Sequence, residues 1–373
     1  MITFDKESVT PNTQIARIKV VGVGGAGGNT VNHMINSHYD RAEFIVANTD
    51  AQALAISQAS ERLQLGKTLT RGLGAGANPD VGRKAAEEDL ENVLEHLQDA
   101  DIVFLVAGFG GGTGSGATPV IAKALKELDI LNVAVVTKPF AFEGKKSMRV
   151  AREAIEQLSE QIDTLVVIPN ERLLNVTNAK VSMLDAFGMV NEVIYQFVRS
   201  IADIIAQPGH INVDFADVCT IMRGMGKAVM GTGRATGVDR AQKAAAQAIE
   251  SPLLEDTNIE GARAILLNIT GGTSLGLHEL HAAASAVHDT VAEDANIIMG
   301  SVIDESMGDE VAVTIIATGI QQGKEGKTMP KSVRSQEPTE EHSSVADGSA
   351  VVDDKTTELE VPTYLRREQE QEL

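Results

Sequence analysis

The sequence predicts two α/β domains joined by a long helix and followed by a disordered tail. Three observations carry that prediction. Short β-rich apolar runs alternate with helical patterns over the first half of the chain, a segment of about 24 residues keeps an unbroken helical periodicity, and from Gln321 onward large apolar residues almost vanish.

Strands are expected at Arg17 to Val23, Glu43 to Ala47, Asp101 to Ala107, Asn132 to Thr137 and Asp163 to Ile168. Helices are expected between them at Gly28 to Ser37, Asp80 to Leu97, Thr118 to Leu128 and Lys145 to Glu160. Strands that are apolar on both faces and separated by helices imply a parallel sheet covered on both sides, a doubly wound arrangement. The connector MLDAFGMVNEVIYQFVRSIADIIA then runs until Gln207-Pro208-Gly209 stops it. Beyond it, Arg263 to Ile269, Asn296 to Ile303 and Glu310 to Thr318 read as strands, with helices near Asp239 to Glu250 and Gly276 to Ala292. Residues 321–360 carry scattered charges, Ser, Thr and Gly, too little apolar surface to offset chain entropy, and are expected to form a disordered linker. Val361, Pro362, Tyr364, Leu365 and Arg366 restore apolar and basic character, either a frayed terminus or a short recognition peptide on a tether.

Composition narrows the function. The chain has 373 residues and a formal charge of −20, which disfavours binding phosphate backbones or anionic lipid by charge alone. No apolar run approaches the ~20 residues of a membrane span, and the first residues lack the pattern of a signal peptide, so a cytosolic location is expected. The single Cys219 lies in an apolar stretch and reads as a small buried hydrophobe. With 34 glycines, backbone amides are the means left for holding an anion.

VVGVGGAGGN, residues 20–29, leads from the first strand through Gly22, Gly24, Gly25, Gly27 and Gly28, bare enough for N–H groups to approach a phosphate. On its own this loop suits a dinucleotide fold equally well, with Asp50 nominally placed to hold a ribose. A second loop, residues 108–116, follows the strand DIVFLVA, and a third, GLGAGANPDVG, precedes another helix. One pyrophosphate needs only the first loop, whereas two loops suggest a chain of two or three phosphates. A Walker A lysine is missing, because LQLGKT has Glu61 where the first glycine belongs. Asp214 and Asp217, three apart at the entry to a helix, read by themselves more readily as a cap than as catalysts. His278, Glu279 and His281 lack zincin spacing, and Met222, Met225 and Met230 read as packing, as do His33 and His38.

GGGTGSG, residues 110–116, together with VGVGGAGGN, FIVANTDAQAL, GLGAGANP, VTKPFAFEGKK and NVDFADV, resembles the tubulin/FtsZ family of GTPases over about residues 15–320 and again in the terminal peptide. The resemblance implies a flexible N-terminus (1–14), a Rossmann-like GTP-binding domain (15–180), a central connecting helix (181–207), a C-terminal GTPase-activating domain (208–320), a linker (321–360) and a partner-binding peptide (361–373). It places Gly25, Ala26, Gly27, Gly28 and Asn29 in a first phosphate loop, and Gly112, Thr113 and Gly114 around the β and γ phosphates. Ala75 and Gly76 fall in a γ-phosphate-sensing loop and Asn48 at the nucleotide's edge. Glu143 matches a ribose contact, and Phe187 and Asn191 match guanine contacts. Ser147 stands where most of the family has an arginine that touches the nucleotide, with Arg149 as a partial substitute.

The connecting helix, about 36 Å at 1.5 Å per residue, puts Asp214 and Asp217 far from their own chain's base edge. The family pattern resolves this by head-to-tail stacking, with Asn212, Asp214 and Asp217 completing the next copy's site, and such a contact generates filaments. It further implies GTP and GDP as ligands, Mg²⁺ bridging phosphates, a division ring at midcell on the inner face of the membrane, and adaptors of the FtsA/ZipA type on the terminal peptide.

Overall fold

The computed structural model describes residues 16–175, 181–206, 213–254, 259–292 and 294–320. Asn212, residues 1–14 and the linker and terminal peptide from 321 to 373 lie outside them. In chain order the elements are β1 Ile18–Val23, α1 Gly24–Asn36, β2 Glu43–Asn48, α2 Ala51–Ala55, β3 Glu61–Gln64, α3 Lys67–Thr70, α4 Pro79–Glu88 and α5 Leu90–Glu95. Then follow β4 Ile102–Gly108, α6 Thr113–Glu127, β5 Leu131–Lys138, α7 Lys145–Ser159, β6 Thr164–Pro169, α8 Asn170–Asn175 and α9 Met183–Ala206. The rest comprises α10 Phe215–Met222, β7 Gly226–Ala235, α11 Arg240–Ile249, β8 Ala264–Gly271, α12 Leu277–His288, β9 Asn296–Ile303 and β10 Val311–Thr318.

The strands form one sheet in the order β3-β2-β1-β4-β5-β6-β7-β10-β8-β9. β1 to β6 are parallel, and alternate residues feed two cores: Val20, Phe104 and Val133 face α1, α9 and α10, while Val21, Val103 and Ala134 face α4, α6 and α7. The expected doubly wound arrangement is therefore present. The sheet then continues without a break: β7 joins β6 in parallel from Thr164↔Gly226 to Val166↔Ala228, and β10 runs antiparallel to both β7 and β8. A third core, built from α11, α12, β8 and β10, covers this second half.

Several boundaries differ from the sequence expectation. α1 and α6 start at Gly24 and Thr113, four and five residues earlier than expected, so both glycine segments are first turns of helices. The helix expected over Asp80 to Leu97 breaks at Asp89, whose carboxylate accepts from the Gly66 and Lys67 amides at the start of α3. β3 and β7 are absent from the expected strands. β7 hides because its glycines serve packing: a methyl group at Gly231 would lie 2.0 Å from the Ala248 carbonyl, and one at Gly233 would lie 2.1 Å from that of Ala244. Gly231→Ala is expected to cost about 1–3 kcal/mol of stability by overpacking β7 against α11. An unchanged denaturation midpoint would show that the two do not pack this closely.

Cys219 is half-buried rather than fully buried. Met222 and Met230 belong to the core as expected. Glu279 pairs with Arg240 at 2.7 Å and accepts from the Gly276 amide, so it caps α12. Among the described residues no helix is long and apolar enough to cross a membrane.

Candidate functional site

Parallel β1 and β4 are neighbours, so the loops that leave their carboxyl ends emerge side by side. Glycine lets them touch. A methyl group at Gly24, whose φ is +75°, would lie 3.0 Å from the Gly114 amide nitrogen; one at Gly27 would lie 2.3 Å from the Val106 carbonyl, and one at Gly108 2.5 Å from the Ala26 Cβ. The third loop closes on the second, since a Cβ at Gly112 would come within 2.8 Å of both the Ala75 Cβ and the Asn78 amide nitrogen. The three glycine loops thus converge at one end of the sheet.

The helix ends there are left open for an anion. Neither α1 nor α6 has a side-chain cap or an acid in its first turn, so their leading N–H groups are unspent. Neighbouring α2 and α4 have their own caps, Asp50 and Asn78. That bears on the dinucleotide alternative: the β3-β2-β1-β4-β5-β6 order also suits it, but Asp50 accepts from the Gln52 and Ala53 amides as the α2 cap.

Around this end the predicted residues are distributed as follows. Gly25, Ala26 and Asn29 are exposed, whereas Gly27 and Gly28 are buried. Ala75 is buried beside Gly112, and Gly76 turns with φ +58° into open space. Asn48 is buried at the end of β2, its Oδ1 accepting from the Asp50 amide. Asn191, on α9, accepts from the Thr30 hydroxyl at 2.8 Å, which ties the central helix to the first loop. Phe187 is 38% exposed and meets Phe140 edge-on, and Phe140 stacks on Phe142. Glu143 is exposed and accepts from the Phe140 amide. Ser147 packs on the second loop, with its Cβ 3.3 Å from a Cβ built on Gly110. Arg149, two residues further, lies on the opposite side of α7, is exposed and pairs with Glu153, so it does not face that loop.

Burial opposes ionisation of Glu192, but hydrogen bonds from His33 and Gln196 outweigh it and hold the carboxyl below its ordinary value. This pair is a second tie between α1 and α9, next to Asn191 on α9 and about one turn beyond Thr30 on α1.

Asp214 and Asp217 sit elsewhere. α10 ends with the Met222 carbonyl accepting from Thr164 at the start of β6, and Arg223 pairs with Asp129 just before β5. This is the amino end of the strands, opposite the glycine loops. Both aspartates are exposed and form a reciprocal cap: Asp214 accepts from the Asp217 amide at 2.8 Å, and Asp217 from the Asp214 amide at 3.4 Å. The geometry does not bring them to the glycine-loop end of their own chain.

Two residues at the carboxyl end went unread in the sequence. Thr49 is fully buried and hydrogen-bonds Thr113 in the second loop at 2.6 Å. Asn170 opens α8 with its Oδ1 buried and without a hydrogen-bond partner among the described residues, and its neighbour Glu171 accepts from the Ala141 amide. Thr49 lay in the motif FIVANTD; Asn170 carried no local signal.

Residues 17–178 match the Tubulin/FtsZ family, GTPase domain, and residues 226–321 match the FtsZ family, C-terminal domain. A cell division protein FtsZ of Coxiella burnetii is 53% identical over 307 residues, 82% of this chain and 80% of that protein. The chain belongs to the tubulin/FtsZ family. Its FtsZ relative from Caulobacter vibrioides is 50% identical over 317 residues, and the match spans only 62% of that protein's length. In three dimensions the chain resembles an empty FtsZ dimer from M. jannaschii, with a TM-score of 0.79 and 42% identity over 82% of this chain and 89% of that one. The two matched segments of this FtsZ-family chain flank α9 and α10, so the central helix and the aspartate pair lie between them.

Proposed function

We propose that this chain binds GTP at the three converging loops, hydrolyses it at a site completed by Asn212, Asp214 and Asp217 of the next copy, and polymerises head to tail into the filaments of a division ring. The observation that carries this reading is the separation of the parts: uncapped helix ends at the carboxyl edge of the sheet and an exposed aspartate pair at its amino edge. A chain that cannot bring its carboxylates to its own phosphates can bring them to a neighbour's, and the resulting contact repeats without closing.

Backbone amides of α1 and α6 would hold the phosphates, the Thr113 hydroxyl would donate to them, and the Asp214 and Asp217 carboxylates would orient an in-line water. Phe187 offers a face for the base, while the unpartnered Asn170 Oδ1 is an acceptor suited to the N–H edge of guanine. Glu143 is the candidate ribose contact. Among the described residues no three His, Cys, Asp or Glu side chains form a metal cluster. Mg²⁺ bound with the nucleotide would neutralise charge on the transferred group. FtsA/ZipA-type adaptors and division regulators would bind Val361 to Arg366 and bring the cytoplasmic filament to the membrane at midcell.

The test is GTP turnover per molecule against protein concentration. A shared site predicts almost no turnover below a threshold and a rise above it; a constant specific activity would rule the shared site out.

A further inference from the structure

We propose that Thr49 is a positioning residue for the bound phosphates: its buried hydroxyl donates to Thr113 Oγ1 and thereby turns the one Thr113 proton toward the ligand. The proposal rests on the reading that nucleotide phosphates occupy the converging loops.

Thr49 follows β2 and has no exposed surface, while Thr113, the first residue of α6, is half-buried with one side open at the second loop. Their hydroxyl oxygens are 2.6 Å apart, and the distance alone allows either to be the donor. Each hydroxyl has one proton and two lone pairs. Were Thr113 to donate inward, it would present only lone pairs to an anion. With Thr49 as donor, Thr113 keeps its proton for a phosphate oxygen, and accepting one hydrogen bond makes it a stronger donor in the next. Nothing competes for the Thr49 proton, since Thr113 is the only group its hydroxyl hydrogen-bonds among the described residues.

The backbone of Thr49 is held as firmly. Its carbonyl accepts from the Gly74 amide and from the Thr70 hydroxyl, each at 3.2 Å, and two residues on the Ala51 amide donates to the Gly72 carbonyl. Thr49 therefore links the third loop, through its carbonyl, to the second, through its hydroxyl. A displacement of the loop that carries Ala75 and Gly76 acts directly on the orientation of Thr113.

The experiment compares Thr49→Val, which keeps the shape and removes the hydroxyl, with Thr49→Ser, which keeps the hydroxyl. Affinity for a fluorescent GTP analogue is measured on the full chain, alongside the nucleotide-free melting temperature. Thr49→Val is expected to weaken binding about fivefold, the loss of one net hydrogen bond, and Thr49→Ser by less than about twofold. Thr49→Val combined with Thr113→Val should bind no more weakly than Thr113→Val alone, because Thr49 then has no hydroxyl to orient. A purely structural role would instead lower the melting temperature and add to the Thr113→Val loss. If Thr49→Val does not fold, Thr49→Ala serves as the hydroxyl-free variant in the same cycle. Native affinity in the hydroxyl-free variant, or additive losses in the double variant, would overturn the proposal alone. A native chain that binds no guanine nucleotide would remove the nucleotide reading and the proposal with it.

Discussion

Asp214→Asn is expected to bind GTP as the native chain does and to hydrolyse it at least about 10²-fold more slowly, the scale of losing a positioned general base. The choice of asparagine matters. In the free chain Asp214 caps α10 and Asp217 returns the hydrogen bond, so alanine would remove a cap worth about 1 kcal/mol together with the charge. Asparagine caps as well as aspartate, and it leaves only the charge missing. A fall in turnover without a shift in the unfolding midpoint then belongs to chemistry and not to folding. Native turnover by Asp214→Asn would make the residue a cap and nothing more. Mixing extends the test: a chain that binds nucleotide but lacks the charge, combined with one that keeps both aspartates but binds nucleotide too weakly to be filled at the GTP concentration used, should regain turnover where the two meet head to tail.

Gly112→Ala supplies the second partner of that mixture and is expected to lose GTP affinity by at least about tenfold. Gly112 has φ −83° and ψ −60°, which any residue adopts, so the backbone itself does not object to alanine. The objection is steric. The new methyl group would lie 2.8 Å from both the Ala75 Cβ and the Asn78 amide nitrogen, and Gly82 already packs on the Gly112 carbonyl from the other side. The second and third loops would have to separate, and the amides of α6 would leave the geometry that α1 shares with them. Gly261→Ala, where the added Cβ meets nothing within 4 Å, is the control and should leave affinity unchanged. Equal GTP affinity in Gly112→Ala and the native chain would show that the loops need not touch to bind.

The glycine loops were legible because the signal is local: a strand, a run of glycines and a helical pattern occupy about fifteen consecutive residues. Their function as a group was less so. Both helices begin earlier than the sequence pattern implies, since glycine is a poor helix former and looks like loop; yet glycine at the first turn is what permits backbone to approach backbone across Gly24 and Gly114. Similarly, β7 leaves no strand signature because glycines 231 and 233 spoil the pattern while fitting the face of α11. Arg149 looked like a stand-in for the family arginine by proximity in sequence, but two positions along a helix is about 200° of rotation.

By itself, then, the sequence determined the alternation that builds a parallel sheet, the three loops, the long connector and the aspartate pair, all of which depend on periodicity and short-range chemistry. Only the tertiary structure decided what those parts do to one another. Strand register brought Gly24, Ala75 and Thr113 together from three segments, buried Thr49 behind Thr113, and left the Asn170 Oδ1 unmet among the described residues. It also carried the sheet past β6 into the second half and set α10 at the opposite end from the loops. Such placements follow from pairings between residues far apart in the chain, whose free energy depends on burial and register and leaves little trace in any local stretch of sequence.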